Sequence, residues 1–111
     1  MMVAVLCAAW CRTCTEFRPA MDALAAARPL MRFEWVDIED DSDICGDLDV
    51  EDFPTLAVFR GDSPLHFGPS LPLESVVGRL LDELATRDVD EAAEWPASLP
   101  ALAAGLRARA P

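Results

Sequence analysis

Trp10-Cys11-Arg12-Thr13-Cys14 comes directly after the apolar stretch Met2 to Ala9. Two cysteines separated by two residues can close a small disulfide ring or hold a metal ion. The short run Val3 to Leu6 reads as a buried parallel strand. A helix is expected from about Cys11 to Ala27. A helix that begins at Cys11 aims its first amides at that sulfur, which stabilises a thiolate and lowers the thiol pKa. Arg12 adds a nearby cation with the same effect. The junction of a strand and a helix at the carboxyl edge of a parallel sheet is where open α/β sheets gather reactive groups. Cys11 is therefore expected as the exposed nucleophile, and Cys14, one turn deeper, as the resolving thiol.

The rest of the chain supplies the frame. Phe17, Met21, Leu24 and Ala25 form one stripe on the first helix, and Pro19 should kink it. Met31 to Ile38 reads as a second strand, carrying Phe33, Trp35, Val36 and Ile38. Asp41 to Leu48 can form a short helix capped by Asp41 or Ser42. Phe53-Pro54-Thr55 opens a third strand, Leu56 to Phe59, and Arg60-Gly61-Asp62-Ser63 has turn composition. Leu65 to Phe67 returns as an antiparallel fourth strand ending at Gly68-Pro69. Pro72 suits the first turn of the next helix. In that helix Leu73, Val76, Val77, Leu80, Leu81 and Leu84 recur at helical spacing. The order is β-α-β-α-β-β-α, an α/β arrangement with a mixed sheet of about four strands flanked by helices. Composition shifts at Asp88 to Ala, Pro and acids. The chain is thus divided into a domain at 1–87 and a C-terminal tail at 88–111, where Leu99, Leu102 and Leu106 allow a short docked helix.

Composition narrows the function. The chain has 111 residues and a formal charge of −11, so one domain is expected, with no affinity for nucleic acid or anionic membranes. Ten of the 20 carboxylates lie between Glu34 and Asp52 (Glu34, Asp37, Glu39, Asp40, Asp41, Asp43, Asp47, Asp49, Glu51, Asp52), with no cation among them. This run reads as a solvated face or as a rim selecting basic partners; it lacks the glycine turn and terminal Glu of a calcium loop. No apolar run is long enough to span a bilayer. Met2 to Trp10 has no basic flank and no cleavage site, so it reads as a strand and not as a signal peptide. The expected compartment is the cytoplasm, where thiols stay reduced and cysteines serve catalysis, metal binding or packing.

Taken together, these segments resemble the thioredoxin family over roughly Val3 to Leu84. Val3 to Leu6 matches the strand before the active site, and Trp10-Cys11-Arg12-Thr13-Cys14 matches the Trp-Cys-x-x-Cys motif. Pro19 matches the helix-kinking proline, and Val36-Asp37-Ile38 the end of the next strand. Phe53-Pro54-Thr55 is similar to the cis-proline loop that faces the disulfide. Phe59, Gly61 and Gly68 fit the later strands. The resemblance implies a thioredoxin-like fold and a thiol–disulfide oxidoreductase with catalytic Cys11 and Cys14. Trp10, Arg12, Thr13, Phe53, Pro54 and Thr55 would form the substrate-binding shell, with Trp10 shielding the site and Pro54 cis. No bound cofactor or metal is implied, only a redox-active Cys11–Cys14 disulfide. Protein thiols and disulfides are the implied substrates, and a reductase or protein dithiol the electron partner.

Three departures bear on this. The family's N-terminal strand and helix are missing, which leaves Met31 to Ile38 as an edge strand that the tail can help to cover. Val5 stands where a buried acid usually helps to deprotonate the resolving cysteine, and Trp35 replaces its basic neighbour. The dipeptide between the cysteines is Arg-Thr. The competing reading is a non-catalytic binding or assembly module. Cys7 reads as a small buried residue, and Cys45 as packed or regulatory. Cys7, Cys11 and Cys14 also have iron–sulfur spacing, but the preceding strand leaves no cluster loop. A zinc site from all four cysteines is disfavoured by the single Cys-x-x-Cys. His66, the sole histidine, reads as an exposed strand residue remote from Cys11.

Overall fold

The computed structural model describes residues 1–46, 48, 50, 52–90 and 92–109. Asp47, Asp49, Glu51 and Glu91, and with them parts of the expected 41–48 helix and of the acidic runs, lie outside the described residues, as do Ala110 and Pro111.

Strand β1 (Met2–Cys7) is buried at every position. It is followed by α1 (Arg12–Ala27), β2 (Arg32–Asp37), the short α2 (Ser42–Cys45), β3 (Thr55–Arg60), β4 (Ser63–Pro69), α3 (Glu74–Ala85) and α4 (Ser98–Arg107). The sheet order is β2-β1-β3-β4. β1 and β2 are parallel, joined by α1 as the crossover a parallel pair requires. β3 runs antiparallel to β1, and β4 antiparallel to β3. Gly61, with φ +63°, turns the β3–β4 hairpin in a conformation that suits glycine. The expected thioredoxin-like α/β fold, with a mixed four-stranded sheet between helices, is thus observed.

The alternation of β1 builds two cores. Val3, Val5 and Cys7 face the layer of α1 and α3, against Phe17, Met21, Leu24, Val77, Leu81 and Leu84. Met2, Ala4 and Leu6 face the opposite layer, against Cys45 and the α4 residues Leu99, Leu102, Ala103 and Leu106. α4 is anchored at its C-terminal end: Arg32 of β2 donates to the carbonyls of Leu106 (2.9 Å) and Arg109 (3.3 Å). Arg60 does the same for α3, donating to Leu84, Ala85 and Arg87 carbonyls. Each guanidinium adds donors to the carbonyls at a helix end, where backbone donors run short, and meets the negative end of its dipole.

Two expectations are corrected here. Pro72 lies before α3 and not in its first turn, since the helix starts at Glu74 with Leu73 as its N-cap. Leu73 and Val76 face solvent, because the stripe that reaches the core is Val77, Leu81 and Leu84. β2 is an edge strand as expected, and α4 covers one face of the sheet beside it.

Leu102 is fully buried. Leu102→Ala is expected to cost about 2–5 kcal/mol, read from the urea midpoint. A cost below about 1 kcal/mol would show that α4 is not part of the core.

Candidate active site

The reactive groups gather where β1 stops. After Cys7 the chain turns at once, and the Cys11 amide donates to the Ala8 carbonyl (2.9 Å). Cys11 is the N-cap of α1, with extended backbone (φ −80°, ψ 111°) and a half-buried side chain. Its carbonyl accepts from the Thr15 amide (3.2 Å) and hydroxyl (3.3 Å), so the helix begins as the sequence suggests. Cys14, in the first turn, points into the core and is 2% exposed.

The register brings the proline loop to the same edge. Thr55 pairs with Leu6 in the antiparallel β1–β3 ladder, so Phe53 and Pro54 continue past the end of β1, level with Cys7 and the turn. The Phe53–Pro54 bond is cis. The Pro54 carbonyl accepts from the Ser70 amide (3.0 Å), and the Thr55 hydroxyl donates to the Asp52 carbonyl (2.6 Å). Trp10 meets Phe53 edge to face, with ring centroids 5.6 Å apart, and its indole N–H donates to Glu39 (2.9 Å). It ties the motif to the proline loop and to the acidic segment while two-thirds exposed (67%). Among the expected shell residues, Trp10, Phe53, Pro54 and Thr55 are thus gathered at the end of β1. Thr13 is exposed on α1. Arg12 is directed along the helix to Glu16 (3.1 Å), out in solvent, and not toward Cys11.

The main difference from expectation concerns Cys14. Its disulfide partner in this structure is Cys7, not Cys11, and Cys11 is a free thiol. The physical reason is the tight turn after β1. It folds α1 back over the strand, so that Cys14 lies above the last inward-facing position of β1, with Cα atoms 6.1 Å apart, within the span a disulfide bridges. Cys7 is therefore not just a packed small residue. The signal was in the sequence: β1 alternation directs Val3, Val5 and Cys7 to the helix side, the side onto which Cys14 projects.

A cavity of about 370 Å³ opens beside Cys14, lined also by Arg18, Pro19, Trp35 and Asp37. The Arg18 guanidinium lies 4.4 Å from the Trp35 ring centre, a cation–π contact on the cavity wall. Asp37 accepts amide bonds from Glu39 (2.8 Å) and Asp40 (3.1 Å). The Asp40 and Glu39 amides hold its carboxyl below the ordinary carboxylate range, which makes it a poor proton acceptor near neutral pH. Val5 lies in the same core cluster as Cys14, so the strand position at which a buried acid usually stands is apolar and packed in the core.

A family model described as Thioredoxin matches residues 1–76. The chain belongs to the thioredoxin family. Among solved structures, the germline-specific thioredoxin Deadhead of Drosophila melanogaster superposes with a TM-score of 0.67 at 19% identity, covering 75% of this chain and 79% of that one. Oxidised thioredoxin of Plasmodium falciparum gives 0.66 at 20% identity, over 77% and 81%. Oxidised thioredoxin O2 of Arabidopsis thaliana gives 0.63 at 26% identity, over 75% and 73%. No curated protein sequence matches the chain.

The remaining candidates lie elsewhere in this thioredoxin fold. Cys45 is buried in the core on the other side of the sheet, so the four sulfurs do not converge. Burial, then the neighbouring Asp41, raises its thiol pKa. His66 pairs with Val58, which in turn pairs with Val3, about 13 Å back along β1 from Cys7 at strand rise. It forms no dyad with Cys11. It is also half-buried, not exposed as expected, and its Nε2 is buried without a hydrogen-bond partner. Among the described residues, no helix is long and apolar enough to cross a membrane.

Burial, aided by the Arg87 charge, holds the His66 pKa below its ordinary value. The folded state then favours the neutral ring, and the associated stability is present above the unfolded pKa of about 6.5 and lost as pH falls through the folded value. Chemical denaturation from pH 7.5 to 5.5 should show the wild type losing stability and His66→Leu losing less; equal slopes would contradict this.

Proposed function

We propose that this thioredoxin-family chain is a thiol–disulfide oxidoreductase acting on protein disulfides, with Cys11 as nucleophile and Cys14 as resolving thiol. The observation that carries the reading is the half-exposed Cys11 at the N-cap of α1, one helical turn from a buried Cys14 and beside the cis-Pro54 loop. The Cys11 thiolate attacks one sulfur of the substrate disulfide, and the other substrate sulfur leaves as a thiolate and takes up a proton. The Cys14 thiolate then attacks Cys11 Sγ, releasing the second substrate thiol and leaving a Cys11–Cys14 disulfide. Two electrons pass from the protein to the substrate. A reductase or a protein dithiol in the cytoplasm returns them, and no cofactor is bound.

Residues three apart at a helix start lie about 5–6 Å apart, close enough for this resolution step. The cis-Pro54 loop would align an extended substrate chain beside Cys11, and the Trp10–Phe53 contact would fix the rim. The step that needs help is deprotonation of Cys14, since Val5 offers no base; a water in the cavity beside Cys14 would take the proton instead.

A second reading has its own support. Cys14 is held by Cys7 in this structure, and a chain locked in that state would serve as a binding module with little net reductase activity.

Insulin reduction by dithiothreitol tests the first reading. The wild type should accelerate it, and Cys11→Ser should return it to the uncatalysed rate. Absence of wild-type acceleration would support the binding module. Phe53→Ala removes an aromatic contact of about 0.5–1.5 kcal/mol and should raise KM about 2- to 10-fold with little change in kcat. An unchanged KM would contradict the role given to the proline loop.

A further inference from the structure

Cys14 has two sulfur neighbours. Cys11 precedes it by one helical turn, and Cys7 is bonded to it from the end of β1. Two-cysteine chemistry uses only the first. We propose that Cys7 is a third redox cysteine, which takes Cys14 from Cys11 and leaves an oxidised protein with one free, half-exposed thiol. This rests on the oxidoreductase reading above.

The step is an intramolecular exchange. The Cys7 thiolate attacks Cys14 Sγ, the Cys7–Cys14 bond forms, and the Cys11–Cys14 bond breaks with Cys11 leaving as the thiolate. The proton given up by Cys7 passes to solvent, and Cys11 takes one up according to pH. No electrons enter or leave, and the reverse attack by Cys11 on Cys14 restores the first disulfide.

The surroundings favour retention of the second disulfide. Cys7 and Cys14 are each 2% exposed, within the core shared by Val5, Phe17 and Met21. A bulky protein thiol cannot reach that bond, whereas Cys11 remains at the surface beside Trp10 and the Pro54 loop. Exchange rate depends on access as well as on the thiols themselves.

The transfer changes what the site does. With Cys14 occupied, a mixed disulfide formed at Cys11 has no internal resolving thiol. It is released only by an incoming thiol, such as one on the substrate itself. The oxidised protein then exchanges disulfides in substrates that carry both a disulfide and a free thiol, without net reduction.

Mapping of the disulfide tests this. The full chain with Cys45→Ala, which removes the one cysteine of the other core, is oxidised with diamide and quenched in acid. Remaining thiols are blocked with N-ethylmaleimide in urea. Chymotrypsin, cutting after Trp10, separates Cys7 from Cys11, and trypsin, cutting after Arg12, separates Cys11 from Cys14. A Cys7–Cys14 link with maleimide on Cys11 is expected, preceded at short times by Cys11–Cys14. Cys11–Cys14 as the sole product at all times overturns the proposal.

The folded oxidised chain should release one equivalent of thionitrobenzoate from Ellman's reagent; release of none also overturns it. Cys11→Ser should slow formation of the Cys7–Cys14 bond about tenfold, because the exposed entry thiol is lost; an unchanged rate overturns the transfer from Cys11. Insulin reduction by dithiothreitol is measured on a parallel, unblocked portion of the same protein. Reduction accompanied only by Cys11–Cys14 overturns this inference and leaves the oxidoreductase reading standing. A mapped Cys7–Cys14 bond with neither insulin reduction nor disulfide exchange in a substrate that carries a free thiol overturns the oxidoreductase reading and leaves the pairing standing. The mapping with all three cysteines present decides the pairing even if the Cys11→Ser variant fails to fold.

Discussion

Strand β1 is buried on both faces along its whole length, and the sharp turn at its end, closed by the Cys11 amide on the Ala8 carbonyl, sets the position of every reactive group. A strand with no solvent face leaves backbone polar groups that the turn at its end must pair, and here that turn also starts the next helix. The turn does both: it makes Cys11 the N-cap of α1 and carries α1 back across the sheet, so that Cys14 lies over the inward-facing Cys7. The same strand fixes the opposite wall, because pairing of Leu6 with Thr55 brings the cis-Pro54 loop level with the turn. One sulfur near solvent, two in the core and a proline loop beside them follow from where one strand stops.

The two cores divide the labour. The α1/α3 side holds Cys7 and Cys14, and the α2/α4 side packs the opposite face of the sheet. In α4, Leu99, Leu102 and Leu106 are fully buried against Met2, Ala4, Leu6 and Phe59, so the last helix covers a face of β1 that would otherwise meet water. Arg32 secures this packing from the edge strand, since one guanidinium both pairs with Glu34 and caps the end of α4. Such a partly buried ion pair with added carbonyl acceptors is better compensated than the solvent-exposed Arg12–Glu16 pair, which contributes little.

Much of this was legible in the sequence, for physical reasons that differ by element. The α1 stripe and the Val77, Leu81, Leu84 stripe of α3 have a period only a helix serves, and both reach the core. Val3 to Leu6 is too short and too apolar to be anything but an interior strand of this sheet. Cys11 at a helix start and Pro54 at a strand start could be read locally, since each depends on its own few neighbours. The Cys7–Cys14 pairing was only half legible: β1 alternation puts Cys7 on the α1 side, but where Cys14 lands depends on how α1 folds back across the turn. Arg12 misled for a similar reason: its nearness in sequence to Cys11 does not set its direction, and Glu16, one turn on, takes its charge. His66 was misjudged because burial of a strand residue depends on what packs over it.

The account rests on the separate environments of the three clustered sulfurs, and differential alkylation of the fully reduced protein measures this most directly. Under limiting iodoacetamide, with sites read by mass spectrometry, Cys11 should be modified at least about tenfold faster than Cys7 and Cys14, whose sulfurs are shielded by the core. Comparable rates at the three sites, or faster modification of Cys14, would contradict the placement of the nucleophile at the surface and its partners beneath it.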